Sequence, residues 1–265
     1  MSKVKNRRPL SKISTMHYCK LVFRSGLLLA AAALYISNRI NNTGSLFGGY
    51  ESNPLLLNVI WLVFVVEMLL RFFPSSMESM GCQKQFKRNY RPTGADLSLG
   101  RLRSARSTFA VGAAWFALNG AIGALYFAHI IDEGILLLIS LAYSVCDMIC
   151  ILFFCPFQTW FMKNKCCGSC RIYNWDFAMM FTPLVFIKNA YAWTLLGLAL
   201  LLLAQWEYLI HRYPERFSEA TNCSLSCGRC QEKLCHHKKQ LRSFLRKNRA
   251  YLNLKGNQVM PGKKR

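Results

Sequence analysis

Residues 134–154, GILLLISLAYSVCDMICILFF, make a run of 21 residues with a single charge, Asp147. An α-helix rises about 1.5 Å per residue, so a run of this length covers the roughly 30 Å of bilayer hydrocarbon. Leu55 to Phe73 has similar length, interrupted by Asn58, Glu67 and Arg71. Thr108 to Ile131 does too, with Asn119 and His129 as its main polar members. Leu21 to Ser37 is shorter, follows Lys20 and carries Arg24 near its start; the long stems of both can carry their charges to the headgroups.

The stretch from Ile172 to Ile210 is too long for one crossing, and Lys188-Asn189 divides it. It reads as a tight hairpin of two spans, Ile172 to Ile187 and Tyr191 to Ile210. The first half is short and contains Pro183, so a re-entrant half-helix is the alternative. Trp175, Trp193, Trp206 and Tyr208 fall near the proposed ends, where interfacial aromatics belong. The expected fold class is therefore an all-α membrane protein with about six transmembrane helices, or five plus a re-entrant segment.

Composition agrees with this expectation. Hydrophobic residues make up 53% of the chain and charged residues 17%, below the roughly 25% charge of a soluble domain. The net charge is +22, and the cations are segregated. Five Lys and Arg precede His17, seven lie between Pro74 and Ser107, three between Pro156 and Arg171, and fourteen follow Ile210. The alternate connections hold only Arg39 and Lys188. Such alternation matches the positive-inside bias and predicts a multi-pass protein of the cell membrane with both termini cytoplasmic. A basic arm (1–17), a transmembrane domain (18–210) and a short Cys-rich basic cytoplasmic tail (211–265) follow. The N-terminal arm carries no clear small-x-small cleavage site, and its Arg7-Arg8 is only a faint export signal.

Twelve cysteines are present. The topology sets eight of them at or beyond the cytoplasmic surface: Cys155, Cys166, Cys167, Cys170, Cys223, Cys227, Cys230 and Cys235. Reducing conditions there disfavour structural disulfides, so clustered thiols point to metal or redox chemistry. Cys167-Gly168-Ser169-Cys170 and Cys227-Gly228-Arg229-Cys230 are two CxxC turns, and each can aim two sulfurs at one metal. The proposed hairpin between them returns to its starting side and would bring the turns together as a four-thiolate site. Cys155, Cys166, Cys223 and Cys235 suffice for a second. A local grouping is also open, because Cys223, Cys227, Cys230 and Cys235 are spaced C-x3-C-x2-C-x4-C, a crowding similar in kind to ferredoxin cysteine runs. An iron–sulfur cluster and zinc both remain candidates. Cys19, Cys146 and Cys150 suit simple apolar packing, and Cys155 or Cys166 would suit palmitoylation.

His236 and His237 could replace a thiolate, yet they sit in a basic run that anionic headgroups would attract. Leu241, Phe244 and Leu245, with Arg242, Arg246, Lys247 and Arg249 between them, suit an amphipathic surface helix. Within the spans, Glu67 and Arg71 are four apart and can pair on one helix. Asp147 reads as lying near mid-span, where it serves either a relay toward the thiols or a contact between helices.

Three functions fit these features. A membrane redox component would carry iron–sulfur electron transfer on its cytoplasmic face. An anchor or assembly factor would use zinc knuckles to hold a protein partner. A metal or ion transporter would route cargo past Asp147 and Glu67. Besides the lipid bilayer, a cytoplasmic protein partner is expected, and nucleic acid is disfavoured. No nucleotide-binding loop, nucleophile elbow or zinc-hydrolase motif is present in the sequence.

Overall fold

The computed structural model describes residues 12–41, 54–74, 80–94, 101–162 and 170–226. These residues are all-helical, with no strand among them beyond a single β-bridge. The α-helices are α1 (Lys12–Ile40), α2 (Pro54–Phe72), α3 (Met80–Gln85), α4 (Arg101–Phe127), α5 (Glu133–Leu152), α6 (Asp176–Phe181) and α7 (Ala190–Arg212). Among the described residues, four stretches are long and apolar enough to cross a membrane: Thr15–Ile40, Arg106–Phe127, Glu133–Leu152 and Ala190–Arg212. Helix α2 adds 19 residues whose only charges are Glu67 and Arg71.

The ends of these helices follow local chemistry. Asp132 caps α5 by accepting a hydrogen bond from the Ile135 N–H at 2.9 Å. Asn189 does the same for α7, accepting from Tyr191 N–H at 2.8 Å, so the expected turn at Lys188-Asn189 is present. Beyond α4, His129 takes a positive φ of 57° and turns the chain toward α5. Its imidazole is exposed.

The stretch Ile172 to Ile187 is not one helix. It winds as a 3-10 turn (Arg171–Trp175), the short α6, and a second 3-10 turn (Thr182–Phe186). Pro183 explains the second break, since it donates no N–H and its ring collides with the carbonyl four residues back. The Thr182 hydroxyl bonds the Ala178 carbonyl at 2.7 Å, beside the break.

Each long helix buries a narrow stripe. On α1 it is His17, Arg24, Leu27 and Ala31; on α2 it is Ile60, Phe64, Met68 and Arg71. On α7 it is Ala192, Leu195, Ala199, Leu202 and Trp206. These steps of three, four and seven are the helical period. Helix α1 lies along α5 and α2 along α7, while the broken segment fills the space between α4, α5 and α7. Phe64 and Phe181 meet edge to face at 5.2 Å inside this core. Gly123 lets the Phe186 ring close on α4, since an added Cβ would overlap that ring.

Around its apolar core the bundle exposes large apolar side chains and buries charged ones. Leu29 is 70% exposed and Phe116 74%, whereas Arg24 is 1% and Arg71 4% exposed. So much uncovered apolar surface on several helices needs an apolar solvent or a partner. Trp206 departs from its expected interfacial position. It is wholly buried, between the rings of Phe86 and Phe217.

Candidate functional site

The buried stripes of α1, α2, α5 and α6 converge on a network of charges. Arg24 is its centre. One terminal nitrogen of its guanidinium lies 2.5 Å from Glu67, and the other donates to Asp147 at 3.2 Å and to the Ser144 carbonyl at 3.0 Å. The Phe64 ring sits 5.3 Å from the same guanidinium. Lys20, one turn earlier, also reaches Glu67, at 3.4 Å. Arg71 pairs instead with Asp176 at 2.5 Å and lies 4.5 Å above the Phe177 ring. Lys20, Arg24 and Arg71 thus balance Glu67, Asp147 and Asp176. Beside them His17 is 1% exposed, and neither ring nitrogen has a hydrogen-bond partner among the described residues.

Three sequence expectations change here. Glu67 and Arg71 do not pair along their own helix; each recruits a partner from another helix, which ties α2 to α1 and to α6. Arg24 does not reach toward headgroups; its two terminal nitrogens engage two carboxylates and a carbonyl inside the bundle, while its buried Nε has no hydrogen-bond partner among the described residues. Asp147 is five residues from the end of α5 rather than at mid-span, and its ion-pair partner is Arg24 rather than a thiol. A charge in low dielectric persists only when paired and hydrogen-bonded, so these contacts set the registry of four elements at once.

Below this layer the chain folds into a cap. Arg171 forms an ion pair with Glu207, which also accepts from Trp175 Nε1 at 2.7 Å and lies 4.0 Å from His211. The two ends of the hairpin expected between Ile172 and Ile210 therefore stand side by side. Residues 83–94 and 213–226 form the rest of the cap. Asn222, fully buried, donates to the carbonyls of Lys84 (3.0 Å) and Arg216 (2.8 Å). Its side-chain oxygen accepts from the backbone N–H groups of Ser224 (3.0 Å) and Arg91 (3.4 Å). Backbone bonds from Thr93 to Thr221 (3.2 Å) and from Cys223 to Arg91 (2.8 Å) flank the bridge between Pro92 and Asn222. The Asn174 amide joins the cap to the broken segment by donating to Gln85 at 2.9 Å.

Of the eight candidate metal-ligating cysteines, three lie among the described residues. Cys170, 5% exposed, packs with Val111 and Ile172, and its carbonyl accepts from Tyr173 at 3.1 Å. Cys223 is half-buried in the cap, where its backbone joins Arg91. Cys155 lies just past α5, half-buried, and its sulfur accepts the Gln158 N–H at 3.4 Å. Cys166, Cys167, Cys227, Cys230 and Cys235 fall outside the described residues, as do His236, His237 and the basic tail. Among the described residues no three His, Cys, Asp or Glu side chains are grouped to hold a metal. The end of the bundle opposite the cap has its own polar cluster, in which Asp132 joins Arg39 (3.2 Å) and Tyr35 (3.1 Å).

Sequence reasoning missed His17 and the junction residues Gln85, Asn174 and Asn222. Arg24, set within an apolar run, carried the available signal for the network. No family model matches the chain, and no significant match emerges among curated proteins or solved structures.

Proposed function

We propose that this is a multi-pass protein of the cell membrane whose basic cytoplasmic face holds a cysteine-ligated metal centre serving iron–sulfur electron transfer. The observation that carries this reading is the bonding of Arg171 and Trp175 to Glu207. It closes the hairpin, so the chain leaves the first CxxC turn and approaches the second from one face of the bundle. Cys170 directly precedes Arg171, and Cys227 directly follows Ser226 of the cap. Four thiolates from the two turns make a complete set for either a cluster or zinc.

Six crossings suit the geometry. Ten residues of the broken segment take the 3-10 rise and six the α rise. At about 2.0 and 1.5 Å per residue, the segment reaches about 29 Å laid end to end, close to the hydrocarbon thickness. Six crossings also keep the basic segments on one side, with both termini in the cytoplasm. A reporter fused after Arg265 that is active only in the cytoplasm tests this orientation.

A zinc-knuckled anchor for a protein partner is the second reading. Burial of Cys170 among Val111 and Ile172 favours it, since a ligand rooted in a core suits a structural metal. Transport past Asp147 and Glu67 has less support, because Arg24 engages both carboxylates. Metal analysis with visible absorption on protein purified without oxygen separates the two leading readings. Iron with sulfide and a broad visible band is the expected result. A colourless sample with stoichiometric zinc would replace electron transfer with the anchor.

A further inference from the structure

Lys20, Arg24, Arg39, Arg71 and Arg171 each meet a carboxylate. Arg212 and Arg216 have no ion-pair partner among the described residues. Their guanidiniums gather instead at one ring, that of Tyr213, with central carbons 5.4 and 3.9 Å from its centroid. The local chain forces this meeting. Helix α7 ends at Arg212, Tyr213 leaves helical geometry at φ −136° and ψ 60°, and Pro214 opens a 3-10 turn (Pro214–Arg216) that brings Arg216 back. Three hydrogen bonds hold the turn. Tyr213 N–H donates to the Leu209 carbonyl at 2.8 Å, Arg216 N–H to the Tyr213 carbonyl at 3.1 Å, and the buried Asn222 amide to the Arg216 carbonyl at 2.8 Å. Glu215, between the two arginines in sequence, forms no ion pair among the described residues. Two like charges thus stand together on a fixed backbone without a counter-charge.

Helix α7 also supplies a path to this pair. Gly197, Leu201, Ala204, Tyr208 and Arg212 are exposed along one face, turned away from the buried stripe of Ala192, Leu195, Ala199, Leu202 and Trp206. From Leu201 to Arg212 the helix rises about 16 Å, close to half the hydrocarbon thickness. An acyl chain lying on Leu201 and Ala204 therefore places its headgroup at the level of the two arginines, with Tyr208 at the interface. We propose that Arg212, Arg216 and Tyr213 form a binding site for the phosphate of an anionic phospholipid whose acyl chain lies along this face of α7. Each guanidinium can donate two parallel N–H groups to phosphate oxygens, and the phosphate supplies the missing counter-charge. A choline phospholipid carries the same phosphate but adds a quaternary ammonium that the two cations repel, so the site selects headgroups of net negative charge. The exposed Lys87, Arg88 and Arg91 of the cap add a broader positive field. The proposal rests on α7 crossing the bilayer and needs no metal centre.

The test uses the full-length protein in neutral detergent with equal amounts of phosphatidylglycerol and phosphatidylcholine, and native mass spectrometry reads the lipid retained. The parent should retain phosphatidylglycerol in preference. Arg212→Met/Arg216→Met should lower that retention about tenfold or more. Lys87→Met/Arg88→Met, which removes equal charge from another turn of the cap, should keep most of it. Tyr213→Leu leaves every charge in place and removes only the ring that gathers the guanidiniums, so it should weaken retention about two- to fivefold. Equal losses in the two arginine and lysine–arginine pairs would reduce the site to diffuse charge and overturn the proposal. Full retention in Arg212→Met/Arg216→Met or in Tyr213→Leu would overturn it too, as would displacement of the lipid by an equal concentration of inorganic phosphate. The crossing is read separately, on protein reconstituted in phosphatidylcholine vesicles. Release by alkaline carbonate would remove the crossing itself, whereas resistance to carbonate without lipid preference would refute the headgroup site alone.

Discussion

Replacing Arg24 with Met removes the cation that Glu67 and Asp147 share while leaving an unbranched side chain of similar length. Glu67 retains Lys20 at 3.4 Å, but Arg24 is the only ion-pair partner of Asp147 among the described residues. Stranding one member of a buried pair costs about 3–5 kcal/mol. The chain can limit that loss by protonating the carboxyl, which for an ordinary aspartate at pH 7 costs about 4 kcal/mol, so both routes converge on one magnitude. In a domain of this size the loss corresponds to a melting-point drop of about 6–20 °C. Tryptophan-fluorescence melting in detergent reads it directly. The double variant Arg24→Met/Asp147→Asn should recover more than half of the loss, because no charge is then stranded on α5. Asp147→Asn should therefore destabilise the parent and stabilise the Arg24→Met background, a reversal of sign that packing loss alone does not produce. Equal destabilisation by Asp147→Asn in both backgrounds would refute the shared-cation account.

Asn222→Ala should release the cap, since four hydrogen bonds converge on its side chain. At about 0.5–1.5 kcal/mol each, a local loss of about 2–6 kcal/mol is expected. Hydrogen exchange should quicken in 83–94 and 213–226 but not in α5. Asp132→Ala removes the α5 cap together with the contacts to Arg39 and Tyr35, and a loss of about 1–2 kcal/mol in the same melting assay is expected. Gly123→Val should lower the melting point by forcing the Phe186 ring off α4. Gly120→Val, where an added Cβ meets open space, should have a much smaller effect.

The long helices were legible because each is a local pattern: an apolar run of bilayer length, ended by Asp132, Asn189 or Pro156. Charge segregation made the two ends of the bundle distinguishable for the same reason. The ion-pair network was legible only in its members. Glu67 and Arg71 are correctly spaced for an i,i+4 pair, and nothing local says that Arg24 and Asp176 outcompete it. That choice is tertiary, set by which helices neighbour α2. The cap was hidden for a similar reason, since Asn222 finds Lys84 and Arg91 across more than a hundred residues. Pro183 signalled a break within residues 172–187, and the form it takes, 3-10 turns on both sides of one short α-helix, could not be read from it. The two CxxC turns remain a sequence-level constellation, supported by the closed hairpin to which Cys170 is joined.

Metal stoichiometry of Cys167→Ser and Cys227→Ser, each purified without oxygen beside the parent protein, tests the central claim most directly. A centre built from both turns predicts that either single substitution empties it, or lowers occupancy by at least tenfold, while the melting point of the bundle changes little. Full metal occupancy in both variants would contradict a shared cysteine-ligated centre. Loss confined to Cys227→Ser would move the site to the tail cysteines alone and leave the first turn without a metal.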